Sequence, residues 1–417
     1  MDKERQKIFF DRLIVLFLGM IIFSIPVSIA MTNLSIALAG TAWLVKKILS
    51  KDFKIKKNPL NLLLIGFLFI SAVSLISSVD MRASIKGLQR LLKYFLIFYV
   101  FIDTVNDFKK MRMILWFALA GLALVSIDGL YQFFAGKDFI RGFPAFMEPE
   151  SGPIHFSFSR LTASMHNPLD LAVYLMSLIP LALILGLYYP LKKGIKAVIF
   201  AVVVIALFCL FNTFYRAVIL ELAVLLVFFS VLKKDYRPLM ILFILLLAGL
   251  AFIPAPILQW ALDNSNPYDF FIEQGGRRVH WATALSMIKA NPFLGVGLNT
   301  FSDNYDYYKP VGFSYSKWYA HSSYLQMAAE IGLIGFIFFI FIVTKSMRMA
   351  LKKIKQCGRT EEKTIILSLF FGFLGYLIGA LMESSLQYSN PAILFWTLLA
   401  MLSSAGMIIG KRFEAQG

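Results

Sequence analysis

His321 and the arginines Arg160, Arg216, Arg277 and Arg278 are the side chains of this 417-residue chain best suited to chemistry. His321 opens the run His-Ser-Ser-Tyr-Leu-Gln immediately before a long apolar stretch. An imidazole with an ordinary pKa of about 6.5 can accept a proton at ambient pH, so His321 suits a general base facing a lipid-borne substrate. The plainer reading is an interfacial His bonded to backbone. Guanidinium groups bind phosphate oxygens through paired donors, so the four arginines suit a pyrophosphate. Snorkelling, or pairing with Glu221, Asp170 or Glu273, is the alternative for each of them. Among the acids that could serve as base instead, Glu330 is expected to orient His321 or pair with an arginine. Glu383, beside Ser384 and Ser385, reads as a pore-mouth or helix-end residue.

The elements that position these groups are membrane spans. Hydrophobic residues make up 59% of the chain and charged residues 16%, against about a quarter charged in soluble domains. Mean hydropathy is +0.73. Apolar runs long enough to cross the hydrocarbon recur with centres near Met20, Leu38, Phe69, Ile97, Ala120, Met176, Val203, Val224, Leu245, Phe338, Phe373 and Leu399. The expectation is therefore an all-α polytopic protein of about 12 transmembrane helices, a single integral domain over residues 1–417. The first run has no ordinary cleavage site and reads as a retained helix.

Basic clusters at Lys3 to Arg12, Lys46 to Lys57, Lys109 to Arg112, Lys192 to Lys196, Lys233 to Arg237, Lys345 to Lys363, and Lys411 with Arg412 fall on one side of this topology. They hold most of the 41 Lys and Arg residues. By the positive-inside tendency that side is cytoplasmic and so are both termini. The net charge of +17 is then a topology signal, and it does not argue for a nucleic-acid partner. No GxxxxGK[ST] loop and no strand-borne GxGxxG stands in the chain, so no nucleotide partner and no cofactor are expected. Cys209 and Cys357 lie in a span and in a cytoplasmic loop, and no metal-ligand spacing is present, so no metal is expected.

The polar stretches on the other side are 80–93, 136–170, 211–216 and the long loop 253–323. The long loop is rich in aromatics and too long for a connector. In it, Val279 to Ala290 reads as a helix with Trp281, Leu285 and Ile288 on one stripe, ended by Asn291-Pro292. Gly295-Val296-Gly297 permits a tight left-handed turn. All four histidines, His155, His166, His280 and His321, fall on this side. Arg82, Lys86, Arg90 and Lys93 form a helical stripe read as an amphipathic segment on anionic lipid.

Taken in order, these motifs resemble the signature region of the O-antigen ligase and polymerase superfamily. They are Arg277-x-x-x-Trp281; Asn291-Pro292-Phe293-Leu294-Gly295-Val296-Gly297-Leu298-x-x-Phe301; Ala320-His321-x-x-Tyr324-Leu325-Gln326; and Glu330-x-Gly332-Leu333-Ile334-Gly335. Arg160-Leu161-Thr162-Ala163 with His166-Asn167-Pro168, and Thr213-Phe214-Tyr215-Arg216-Ala217, resemble two earlier segments of that family. Tyr215, Ala217, Ala163, Asp170 and Ser322 stand where the family more often has Ser, Gly, Gly, Asn and Asn.

The resemblance implies a GT-C-like, metal-independent, inverting glycosyltransferase in the bacterial inner membrane with a periplasmic site. Its donor would be an undecaprenyl-diphosphate-linked glycan and its acceptor lipid A core. His321 would be the base; Arg216 and Arg277, with Arg160 or Arg278, would hold the diphosphate; Tyr324, Glu330, Gly295, Gly297 and Trp281 would support the site. A polymerase using the same residues, a protein O-oligosaccharyltransferase and a polysaccharide transporter are the alternatives. Transport predicts a half-length repeat and midplane charges, and neither is evident.

Overall fold

The computed structural model describes residues 3–54, 56–147, 159–215, 217–237, 239–240, 243, 277–311 and 319–414. The apolar runs become helices because each satisfies its own backbone polar groups within the segment, as a bilayer requires. In chain order they are α1 (Lys3–Ser24), α2 (Ile29–Ser50), α3 (Asn61–Val73), α4 (Met81–Thr104), α5 (Phe108–Ala135), α6 (Pro168–Tyr188), α7 (Lys193–Phe211) and α8 (Ala217–Lys233). After the segment that is not described come α9 (Arg277–Ala290), α10 (Phe301–Tyr308), α11 (Ser323–Gln356), α12 (Thr360–Met382) and α13 (Ser389–Glu414).

Seven of these, α2, α5, α6, α7, α11, α12 and α13, are long and apolar enough to cross a membrane. The chain is thus a mostly helical, multi-pass membrane protein. Eleven of the twelve expected span centres lie inside helices, four of them in α1, α3, α4 and α8, which fall outside that set of seven. The twelfth, Leu245, lies outside the described residues.

Polar residues set the helix starts. Asp80 accepts from the amides of Arg82 and Ala83, Asp107 from Lys110, and Asn167 from Leu169 with Pro168 in the first turn. The stripe Arg82, Lys86, Arg90, Lys93 is the first half of α4 itself, continuous with the apolar second half.

α6, α12 and α13 are buried along most of their length and form the centre of the bundle. α6 lies against α12, with Gly372 and Gly375 in the contact. α13 lies against α4, α11 and α12, and Phe395 gathers Phe339, Phe373, Tyr376 and Trp396 around its ring. Small residues and aromatic packing of this kind hold helices together where lipid supplies no hydrophobic drive.

At one end of the bundle Asp11 of α1 pairs with Lys46 and Lys110, and Asp103 with Lys47. Arg112 reaches Glu361 at the start of α12. Several of the sequence-predicted basic clusters therefore meet at a common end. At the other end the loop arm 159–167 is fastened to three elements: Leu161 N–H donates to Asn212 O, Gln132 binds Thr162 through both its amide atoms, and the Ser164 hydroxyl donates to Pro26 O. A two-residue antiparallel pair, Phe146–Met147 with Ser159–Arg160, closes that arm.

Candidate active site

The site is built on a break in α11. Gly332 has φ 69 and ψ 175, so the helix stops and restarts there. The break leaves backbone groups to be satisfied elsewhere, and the segment 292–297 satisfies them. Val296 and Gly297 N–H donate to Ala329 and Glu330 O at 2.9 and 3.0 Å, and Leu333 N–H donates to Pro292 O at 2.8 Å. The approach requires glycine on both sides: a Cβ at Gly332 would stand 2.1 Å from Phe293 O, and one at Gly295 2.5 Å from Ala329 O. Gly295 and Gly297 also have positive φ, 72° and 109°. The turn expected at these glycines is present, and its partner is the broken helix.

Glu330, at this break, is 2% exposed. Its carboxylate accepts from Asn299 N–H (2.8 Å), Phe301 N–H (3.4 Å), Gln326 Nε2 (3.1 Å) and Gln387 Nε2 (3.1 Å). Such donors are what a buried carboxylate needs. Glu330 therefore orders the loop before α10, and it reaches His321 only indirectly, through Gln326, whose Oε1 accepts from Ala320 N–H at 3.2 Å. The expectation that Glu330 orients His321 or pairs with an arginine is corrected. Arg90 takes part in the same cluster, donating to Asn299 Oδ1 and Gln387 O.

The residue on the His321 ring is Glu383. Nδ1 lies 3.3 Å from Glu383 Oε2, and the Glu383 side chain is 2% exposed. Both partners are held from behind. Ser323 N–H and its hydroxyl donate to Glu383 O at 3.0 and 2.9 Å, Ser384 N–H donates to Glu383 Oε1, and Ser322 N–H donates to the Ser384 hydroxyl. Antiparallel packing of α11 and α12 brings the start of one to the end of the other, so two residues 62 apart in sequence meet. His321 itself has φ 49, an uncommon conformation for a residue with a side chain. Trp281 Nε1 donates to His321 O at 3.5 Å.

His280 lies beside this pair, its ring centroid 5.2 Å from that of His321 and 5.3 Å from Tyr305. Burial, with the charges of His321 and Arg277, pushes its pKa down to about 4. A neutral His280 puts no second positive charge next to His321. The buried stripe of α9 is Val279, His280, Thr283, Ala284 and Met287. Leu285 is 56% exposed, so the expected stripe of Trp281, Leu285 and Ile288 is displaced by about one residue.

Arg277, half-buried at the start of α9, lies within electrostatic reach of His280, Tyr215 and Glu221. Tyr215 donates to Glu221 Oε1 at 3.1 Å. Arg278, its neighbour, is exposed. Arg160 Nε donates to Thr213 O at 2.8 Å, which puts it against the 211–215 turn. Arg216 and His155 lie outside the described residues, as do 253–276 and 312–318 of the long loop. Tyr324 donates its hydroxyl to Leu377 O at 2.9 Å and packs on Phe339, so it ties α11 to α12. Among the described residues no group of three or more His, Cys, Asp or Glu side chains could hold a metal ion.

An imidazole–carboxylate pair, His321 with Glu383, and the arginines Arg160 and Arg277 are thus held on a multi-pass helical bundle. Residues 172–340 match the family model for O-antigen ligase. No curated protein matches the chain. The matched stretch takes in Arg277, Gly295, Gly332 and His321 but ends before Glu383.

Proposed function

We propose that the chain is an O-antigen ligase, an inverting glycosyltransferase that moves a glycan from undecaprenyl diphosphate to lipid A core. The contact of His321 Nδ1 with the buried carboxylate of Glu383 carries this reading. As a carboxylate Glu383 only accepts, so it fixes the tautomer in which Nδ1 bears the proton and Nε2 is basic. Nε2 takes the proton of the acceptor hydroxyl while the hydroxyl oxygen attacks the anomeric carbon. The bond from that carbon to the diphosphate oxygen breaks on the opposite face, and its electron pair leaves with undecaprenyl diphosphate. Glu383 stabilises the imidazolium formed in this step.

Arg277 supplies positive charge for the leaving diphosphate, assisted by Arg160, which donates to Thr213 O, by Arg216, which follows Tyr215 in sequence, and by Arg278. The apolar grooves between helices receive the polyprenyl chain, and aromatic side chains of the long loop stack on sugar rings. The gathering of basic helix ends away from this site supports cytoplasmic termini and a periplasmic site in the inner membrane.

A polymerase would use the same residues and differ in the acceptor. The test is transfer by the purified protein from an undecaprenyl-diphosphate-linked glycan, with and without lipid A core, on a gel resolving chain length. One discrete shift of the core lipid, lost in Arg216→Ala, is the ligase result. A ladder formed without core lipid would make the protein a polymerase.

A further inference from the structure

A second charged feature lies at the far end of α11, in a groove of about 400 Å³ between α3 and α11. Its walls carry Leu63, Phe341 and Met349, and its rim Lys345, Arg348 and Lys352. The three cations stand at spacings of three and four residues, so a helix of 3.6 residues per turn brings them to one face. All three are exposed, and among the described residues none of them makes an ion pair. The acids nearby in sequence are engaged elsewhere, Glu361 with Arg112 and Glu362 with Arg359.

Depth identifies the occupant. Lys345 lies 13 residues past the break at Gly332, about 20 Å along the second segment of α11, and it lines the groove beside Leu63 in the first turn of α3, just after the basic cluster Lys46 to Lys57. The three cations thus stand at headgroup level on the membrane face opposite His321. Phe341, 55% exposed, lies one turn deeper, and Leu62 and Ile65 of α3, 79% and 60% exposed, continue an apolar surface. A ligand that satisfies both parts has a phosphate at the rim and an acyl chain along the wall.

We propose that this groove binds the phosphodiester headgroup of an anionic glycerophospholipid between α3 and α11. The phosphate neutralises Lys345, Arg348 and Lys352 together, and the acyl chains lie against Leu63 and Phe341. Free phosphate shares only the rim chemistry, so the apolar wall favours the lipid.

The test uses the full chain purified in a neutral detergent and native mass spectrometry with dioleoyl phosphatidylglycerol, dioleoyl phosphatidylcholine or glycerol 3-phosphate. The variants are Lys345→Gln/Arg348→Gln/Lys352→Gln and, as a charge-matched control, Lys192→Gln/Lys193→Gln/Lys196→Gln. None of these residues belongs to the transfer site. The expected result is retention of phosphatidylglycerol over phosphatidylcholine by the unaltered chain, weakened on the order of 10-fold or more in the first variant and unchanged in the control. Equal weakening in both variants would reduce the groove to general surface charge and overturn the proposal. So would equal binding of both lipids, retention undiminished in the first variant, or full displacement by glycerol 3-phosphate, which would assign the rim to free phosphate. A melting transition matching that of the unaltered chain shows that the variant is folded. A variant that fails to fold is replaced by Leu63→Trp, which fills the groove and is expected to lower phosphatidylglycerol retention; undiminished retention would likewise overturn the proposal.

Discussion

Replacing Gly332 with alanine should disconnect the segment 292–297 from α11. At φ 69 and ψ 175 an L-residue sits in a region almost confined to glycine, at a cost of about 1–3 kcal/mol. The added Cβ would stand 2.1 Å from Phe293 O and 2.6 Å from Leu294 N, both backbone atoms that cannot swing aside. The segment must therefore move. Its three hydrogen bonds, Leu333 N–H to Pro292 O, Val296 N–H to Ala329 O and Gly297 N–H to Glu330 O, are then lost. At about 1 kcal/mol each the total reaches about 4–6 kcal/mol, a population shift on the order of 10³ or more towards the undocked state. Hydrogen exchange read by mass spectrometry on peptides covering 292–301 should show protection lost there, while peptides of α6 and α12 stay protected. Transfer should fall with it, because Asn299 and Phe301 N–H no longer hold Glu330. Native protection of 292–301 in Gly332→Ala, with transfer intact, would refute the idea that the broken helix holds this loop.

Other outcomes follow from the same geometry. His280 is held neutral when folded with a pKa of about 4, against about 6.5 unfolded, so the unfolded chain takes up a proton that the folded chain refuses as pH falls between those values. Stability should be full above that window and drop across it by up to about 3 kcal/mol. Melting of His280→Gln followed from pH 7 to 4 should have a flatter pH profile than the unaltered chain; identical profiles would rule this out. Arg277→Lys keeps the charge but loses the paired donors, and donor turnover should fall about 10-fold or more; unchanged kcat/KM would remove Arg277 from the diphosphate. EDTA should leave transfer unaffected, and a loss that magnesium or zinc restores would contradict a base-only mechanism.

The helices were legible because apolar runs of membrane length have few other fates, and the caps Asp80, Asp107 and Asn167 mark their starts. The glycines of 295–297 were legible as a turn but not as a dock, since nothing local announces that Gly332 interrupts a helix within an apolar run. Glu330 misled because it is near His321 in sequence. His321 precedes the N-cap Ser322 and has φ 49, so the loop, and not helical periodicity, sets the direction of its side chain relative to Glu330. Glu383 stood in view as an acid ending an apolar run, yet its pairing with His321 depends on how α11 and α12 pack, which spacing does not encode. The stripe of α9 was displaced because its buried face carries His280 and Thr283, so hydrophobicity alone does not mark it.

The most direct test of the central claim is the pH dependence of kcat for transfer by His321→Ala, Glu383→Gln and the unaltered protein in detergent. A glutamine at 383 can donate to Nδ1 and so favours the wrong tautomer. Both variants are expected to lose on the order of 10²–10⁴-fold in kcat with little change in donor KM, and the ionisation that governs the rate at low pH should vanish in His321→Ala. Transfer by His321→Ala within a few-fold of the unaltered protein, with that ionisation intact, would show that another group takes the proton.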